Sequence, residues 1–116
     1  MARKLTAPRE YWKLKRQYPA YFDAVEALGA AVRQAGPLDE RTTQLVQLGA
    51  AAAIRSEGAV HSHVRRALEA GATTEEIRHA VISITSTIGF PNVRAALSWT
   101  DDVLGKMRVS TKSVGN

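Results

Sequence analysis

Two histidines, His61 and His63, stand two residues apart in the segment running from Ser56 to Gly71. Imidazole exchanges a proton near neutral pH and ligates metals, so the pair raises both acid/base and metal chemistry. Helix geometry separates them. At about 100° per residue, positions i and i+2 lie about 200° apart, so one continuous helix cannot bring both rings to one ion. Glu57 and His61, at i and i+4, do share a face. They read as a capping or salt-linked pair, because a carboxylate in the first helical turn suits the positive dipole end. Two alternatives stay open, joint ligation of a metal and lining of a polar substrate pocket. The capping reading leaves no metal and no cofactor assigned.

His63 is the candidate general acid/base, against the alternative of a histidine satisfied by a hydrogen bond at a subunit interface. A carboxylated substrate would need a cation. Arg66 lies about 60° around the helix from His63, and Arg55 precedes the turn; each equally suits a surface salt bridge. Ser83 and Thr87 share a face of a later helix and either line a polar pocket opposite His63 or bond back to preceding carbonyls. His79 reads as a half-exposed helix residue. The chain has no cysteine, which excludes disulfides, thiolate metal sites and thiol peroxidase chemistry.

Turn punctuation predicts about six helices and an all-α fold. Pro8 opens a first helix to about Gln17, and Pro19 a second to about Gln34, whose Phe22, Val25, Leu28 and Val32 recur at helical spacing. Asp39 is placed as an N-cap with Leu38 as its hydrophobic staple. The helix it opens runs into Gly49-Ala50-Ala51-Ala52-Ala53, bare enough to admit a neighbouring backbone or simply to pack tightly. In the histidine helix Val60, Val64, Ala67 and Leu68 mark the apolar face, with His61 and His63 at opposite margins. Thr73 and Glu76 have capping-box spacing ahead of a helix striped by Ile77, Ala80, Val81, Ile84 and Ile88, which Gly89-Phe90-Pro91 ends. A last helix carries Val93, Leu97, Trp99, Val103 and Leu104 and stops at Gly105. The domain reading is amino-terminal helices at 1–36, a core at 37–105 and a polar, mobile tail at 106–116.

With 116 residues, 45% hydrophobic and 6% aromatic, one thin core is expected, which favours burial between copies in a homo-oligomer. Trp12, Tyr18, Tyr21 and Phe22 are read as core or interface anchors. The net charge of +5 sits within residues 1–17, where Arg3, Lys4, Arg9, Lys13, Lys15 and Arg16 face Glu10 alone. That run is read as a solvated helix face rather than a nucleic-acid or membrane contact, since no recognition motif accompanies it. The longest apolar run, Leu48 to Ile54, falls far short of the roughly 20 residues that span a bilayer, and a soluble, cytoplasmic protein is expected.

Several of these residues together carry a family resemblance. Leu38-Asp39 opening a helix, a small-residue helix end, the histidine helix, Glu69-Ala70-Gly71-Ala72-Thr73-Thr74-Glu75-Glu76-Ile77 and Ile88-Gly89-Phe90-Pro91 resemble the carboxymuconolactone decarboxylase family of the alkylhydroperoxidase D-like superfamily. The resemblance covers Pro37 to Leu104. It implies the alkylhydroperoxidase D-like helical fold and a trimer or hexamer. Aligned on Gly71, the relay histidine of the peroxidase branch falls on His63, its two cysteines on Ser56 and Ala59, and its glutamate on Gln44. Only the histidine is retained, which contradicts thiol peroxidase activity. The branch lacking the cysteine pair implies histidine-centred acid/base chemistry. The expected function is a non-redox, cofactor-independent lyase or isomerase acting on a small carboxylated metabolite; the alternative is a non-catalytic oligomeric ligand-binding or scaffold protein.

Overall fold

The computed structural model describes the backbone of residues 8–115 and the side chains of residues 8–105. Arg3 and Lys4 of the basic run, and the side chains of the polar tail, lie outside the described residues. Seven helices occur among the described residues, with no strand: α1 (Arg9–Gln17), α2 (Pro19–Gln34), α3 (Glu40–Ala53), α4 (Glu57–Glu69), α5 (Thr74–Ile82), α6 (Thr85–Ile88) and α7 (Phe90–Gly115). The chain divides into two compact units, residues 1–40 and residues 41–116.

The first unit is a hairpin of α1 and α2. Pro8 occupies the N-cap of α1 rather than its first turn, and Pro19 opens α2, where its missing N–H costs nothing. Phe22 is the buried residue of the pair, with the Tyr11 ring edge-on at 4.8 Å and the Lys15 ammonium 5.6 Å from its centroid. Tyr11 also donates to Glu26 across the hairpin. The expected stripe on α2 is not covered, for Val25, Leu28 and Val32 are 49%, 63% and 52% exposed. Trp12, Tyr18 and Tyr21 are exposed as well, so of the four expected aromatic anchors only Phe22 is buried within the chain.

In the second unit α7 packs against α4, α5 and α6, and α4 also meets α5. The core contains Leu48, Val60, Val64, Ala67, Ile77, Val81, Val93 and Ala96, none more than 2% exposed. These positions recur at three- and four-residue spacing on their helices, and burying each large one is worth about 1.5–3 kcal/mol. The alanine-rich end of α3 fits by tight side-chain packing. Ala51 and Ala52 are buried, and a Cβ at Gly49 would meet the Ile84 side chain at 3.9 Å, ordinary contact rather than an approaching backbone.

Local hydrogen bonds set the helix ends. The Thr73 hydroxyl accepts from the Glu76 amide at 3.0 Å and the Glu76 carboxylate accepts from the Thr73 amide at 2.9 Å, the expected capping box. Helix α4 closes with Ala72 N–H on the Ala67 carbonyl and Gly71 N–H on that of Leu68, with Gly71 at φ +97°. Helix α3 closes the same way, Ser56 on Ala51 and Arg55 on Ala52, but Arg55 fills the left-handed position at φ +57°. Its guanidinium donates to Asn92 and lies over the Trp99 ring, contacts that offset the backbone cost.

Two further boundaries differ from expectation. The stretch Thr74 to Ile88 is broken at Ser83-Ile84, where the Ser83 and Thr85 hydroxyls donate to the carbonyls of Ala80 and Ile82 at 2.8 and 2.6 Å. Hydroxyls that compete for helix carbonyls bend the backbone, and these two flank the point where the regular ladder ends. Gly105 does not stop the last helix, which continues to Gly115, because glycine inside a helix costs only about 1 kcal/mol against alanine. At the start of α3, Asp39 directly precedes the helix, while Leu38 stands 56% exposed instead of stapling it.

Candidate functional site

Helix α4 carries both histidines and presents them to different neighbours. Ser56 caps it, its hydroxyl accepting from the Ala59 amide at 3.3 Å, and Val60, Val64 and Ala67 anchor it in the core with no exposed surface. With that face fixed inward, His63 and His61 emerge at its two margins, as the helical wheel requires.

His63 turns toward α3. Its Nδ1 lies 2.8 Å from the Oε1 of Gln44, a side chain only 1% exposed. A buried amide is retained only with its polar atoms satisfied, and no described buried side-chain nitrogen or oxygen lacks a partner. That contact with Gln44 fixes the orientation of the ring. The ring itself is half-buried. A carboxylate at position 44 would orient the ring equally well and would also relay protons; the amide only orients. Ser56 is committed to capping and Ala59 offers no functional group. Of the residues aligned with a thiol relay, the structure joins Gln44 and His63 through their side chains, while Ser56 and Ala59 meet only in the helix cap.

His61 turns the other way, toward α7. Its Nε2 lies 2.9 Å from Oδ2 of Asp102 and 4.0 Å from Oε2 of Glu57. The Glu57 contact follows the expected i and i+4 spacing, but Asp102 is the nearer partner. It lies 41 residues along the chain, beyond the reach of any local pattern. One ligand atom from each of these three residues falls within 4.8 Å of the others. His61 is about a quarter exposed, and the carboxylates about half.

The remaining candidates are more dispersed. Arg66 is half-buried on α4, and Arg55 is held by Asn92 and Trp99. Ser83 and Thr87 are exposed, and the Ser83 hydroxyl takes the back-bonding alternative. His79 is exposed on α5, while its neighbour Arg78 pairs with Asp101 of α7 at 3.1 Å. No helix among the described residues is long and apolar enough to cross a membrane.

Comparison with known proteins adds to this geometry. An uncharacterized protein of Methanocaldococcus jannaschii is 30% identical over 92 residues, covering 79% of this chain and 86% of that one. An uncharacterized protein of Haemophilus influenzae is 34% identical over 59 residues, about half of each chain. The family model named carboxymuconolactone decarboxylase matches residues 19–102, a span that holds α2 through α6, the Gln44–His63 pair and the first half of α7. An all-α chain with a histidine helix between a small-residue helix and a capping-box helix, and with no cysteine, thus belongs to the carboxymuconolactone decarboxylase family.

Proposed function

We propose that this protein is a non-redox lyase or isomerase of small carboxylated metabolites, in which His63 moves a proton to or from carbon without a cofactor. The observation that carries this reading is the 2.8 Å hydrogen bond between His63 Nδ1 and the Oε1 of buried Gln44. It holds the ring in one orientation, as a histidine that exchanges a proton with a positioned substrate requires. Gln44 is a positioning residue, and Arg66, one turn along the same helix, is the cation proposed for a substrate carboxylate. The reading places the protein in the cytoplasm.

Turnover of a panel of lactone acids by the wild-type chain and by His63→Ala tests it. General acid/base catalysis typically contributes about 10²–10⁴-fold, and a loss of that size is expected. Equal turnover by both proteins removes His63 from catalysis.

A second reading, an oligomeric ligand-binding or scaffold protein, draws on a different observation. Val25, Leu28 and Val32 form one apolar stripe on α2, roughly half exposed in the single chain. A homo-oligomer, a trimer or hexamer by family resemblance, would cover such a stripe. Sedimentation of the purified protein checks the assembly, and no turnover across the panel together with retained metabolite binding would favour this reading over the enzyme.

A further inference from the structure

The margin of α4 opposite His63 carries a cluster with no part in that chemistry. Glu57 and His61 face one way because they are four residues apart, and Asp102 reaches them from α7, the helix on which α4 is packed. Two carboxylates and one imidazole form a donor set of charge −2, matched to a divalent ion. Imidazole with carboxylate oxygens suits zinc, cobalt, nickel or manganese better than calcium, which prefers oxygen alone.

The distances suit one ion. Ligands about 2.1 Å from a metal lie about 3.0 Å apart at right angles and about 3.4 Å apart in a tetrahedron. The His61–Asp102 separation of 2.9 Å already meets the first value. Glu57 lies 4.0 Å from the imidazole nitrogen and within 4.8 Å of the Asp102 oxygen, so it must close by about 1–2 Å, and as an exposed side chain it has the rotamer freedom to do so. The half-exposed setting leaves the other coordination positions to water.

We propose that Glu57, His61 and Asp102 bind one divalent first-row transition-metal ion that clamps α4 to α7. The ion neutralises two carboxylates that otherwise repel across a single imidazole. Because the donors come from two helices, binding requires the packed bundle and stabilises it by mass action. The site is separate from the Gln44–His63 pair and stands whether or not His63 is catalytic.

Calorimetric titration of the metal-free full-length protein with Co²⁺ and Zn²⁺ provides the test, with the thermal unfolding midpoint as a second measurement. One ion per chain and a raised midpoint are expected. His61→Ala should abolish both, and Asp102→Asn and Glu57→Gln should each weaken binding at least about tenfold, the lower end of the loss seen even for outer-shell partners. His63→Ala and His79→Ala should bind as the wild type does. The exposed positions of Glu57 and Asp102 keep those two variants folded if His61→Ala is not, and helical circular dichroism verifies it. Absence of stoichiometric binding overturns the proposal, as does binding that survives both carboxylate variants or is lost with His63→Ala.

Discussion

The hairpin of α1 and α2 and the bundle of α3 to α7 use the same apolar periodicity with opposite results. In the bundle, Val60, Val64 and Ala67 repeat at spacings of four and three and are fully buried. In the hairpin, Val25, Leu28 and Val32 repeat at spacings of three and four and remain about half exposed. Periodicity therefore identifies the face of a helix that needs cover, while the cover itself depends on what lies alongside. In the bundle α7 supplies it to three helices. In the hairpin the short α1 covers Phe22 and little beyond, because nine residues make only about 14 Å of helix.

The comparison breaks or sharpens under substitution. Leu48→Ala has the largest expected effect on stability, since a wholly buried side chain leaves a cavity; a loss of about 2–5 kcal/mol should appear in denaturant unfolding. A loss below 1 kcal/mol would mean the bundle is as loosely filled as the hairpin. Thr73→Ala should cost about 1 kcal/mol by the same measurement, because the capping box loses its side-chain acceptor while the core is untouched. Leu28→Ser should change the stability of the isolated chain by about 0.5 kcal/mol or less, measured at dilutions where it sediments as a monomer. At higher concentration the same variant should sediment as a smaller species than the wild type. A destabilisation of several kcal/mol in the dilute monomer would show that the stripe is covered within the chain and would erase the contrast.

Features resting on neighbours a few residues apart were legible in the sequence. The ends of α2, the capping box at Thr73 and Glu76 and the glycine close of α4 each depend on a local hydrogen-bond pattern. The break at Ser83-Ile84 was not. Its hydroxyls could equally remain in a bent but continuous helix, and the competition between back-bonding and the regular ladder is too evenly balanced for spacing to decide. The length of α7 was missed because glycine at 105 reads as a stop, although one glycine costs a long helix little.

The same division runs through the site. By itself the sequence determined that His61 and His63 emerge on opposite margins of one helix, since backbone geometry alone sets their angular separation. It also determined, by the absence of cysteine, which redox chemistry is excluded. Only the tertiary structure decided what each histidine meets, Gln44 across 19 residues and Asp102 across 41. Family resemblance had aligned Gln44 with the relay position, but no signal in the chain pointed to Asp102. Such pairings follow from how helices cross when their apolar faces close on one another, a property of the packed core rather than of any segment.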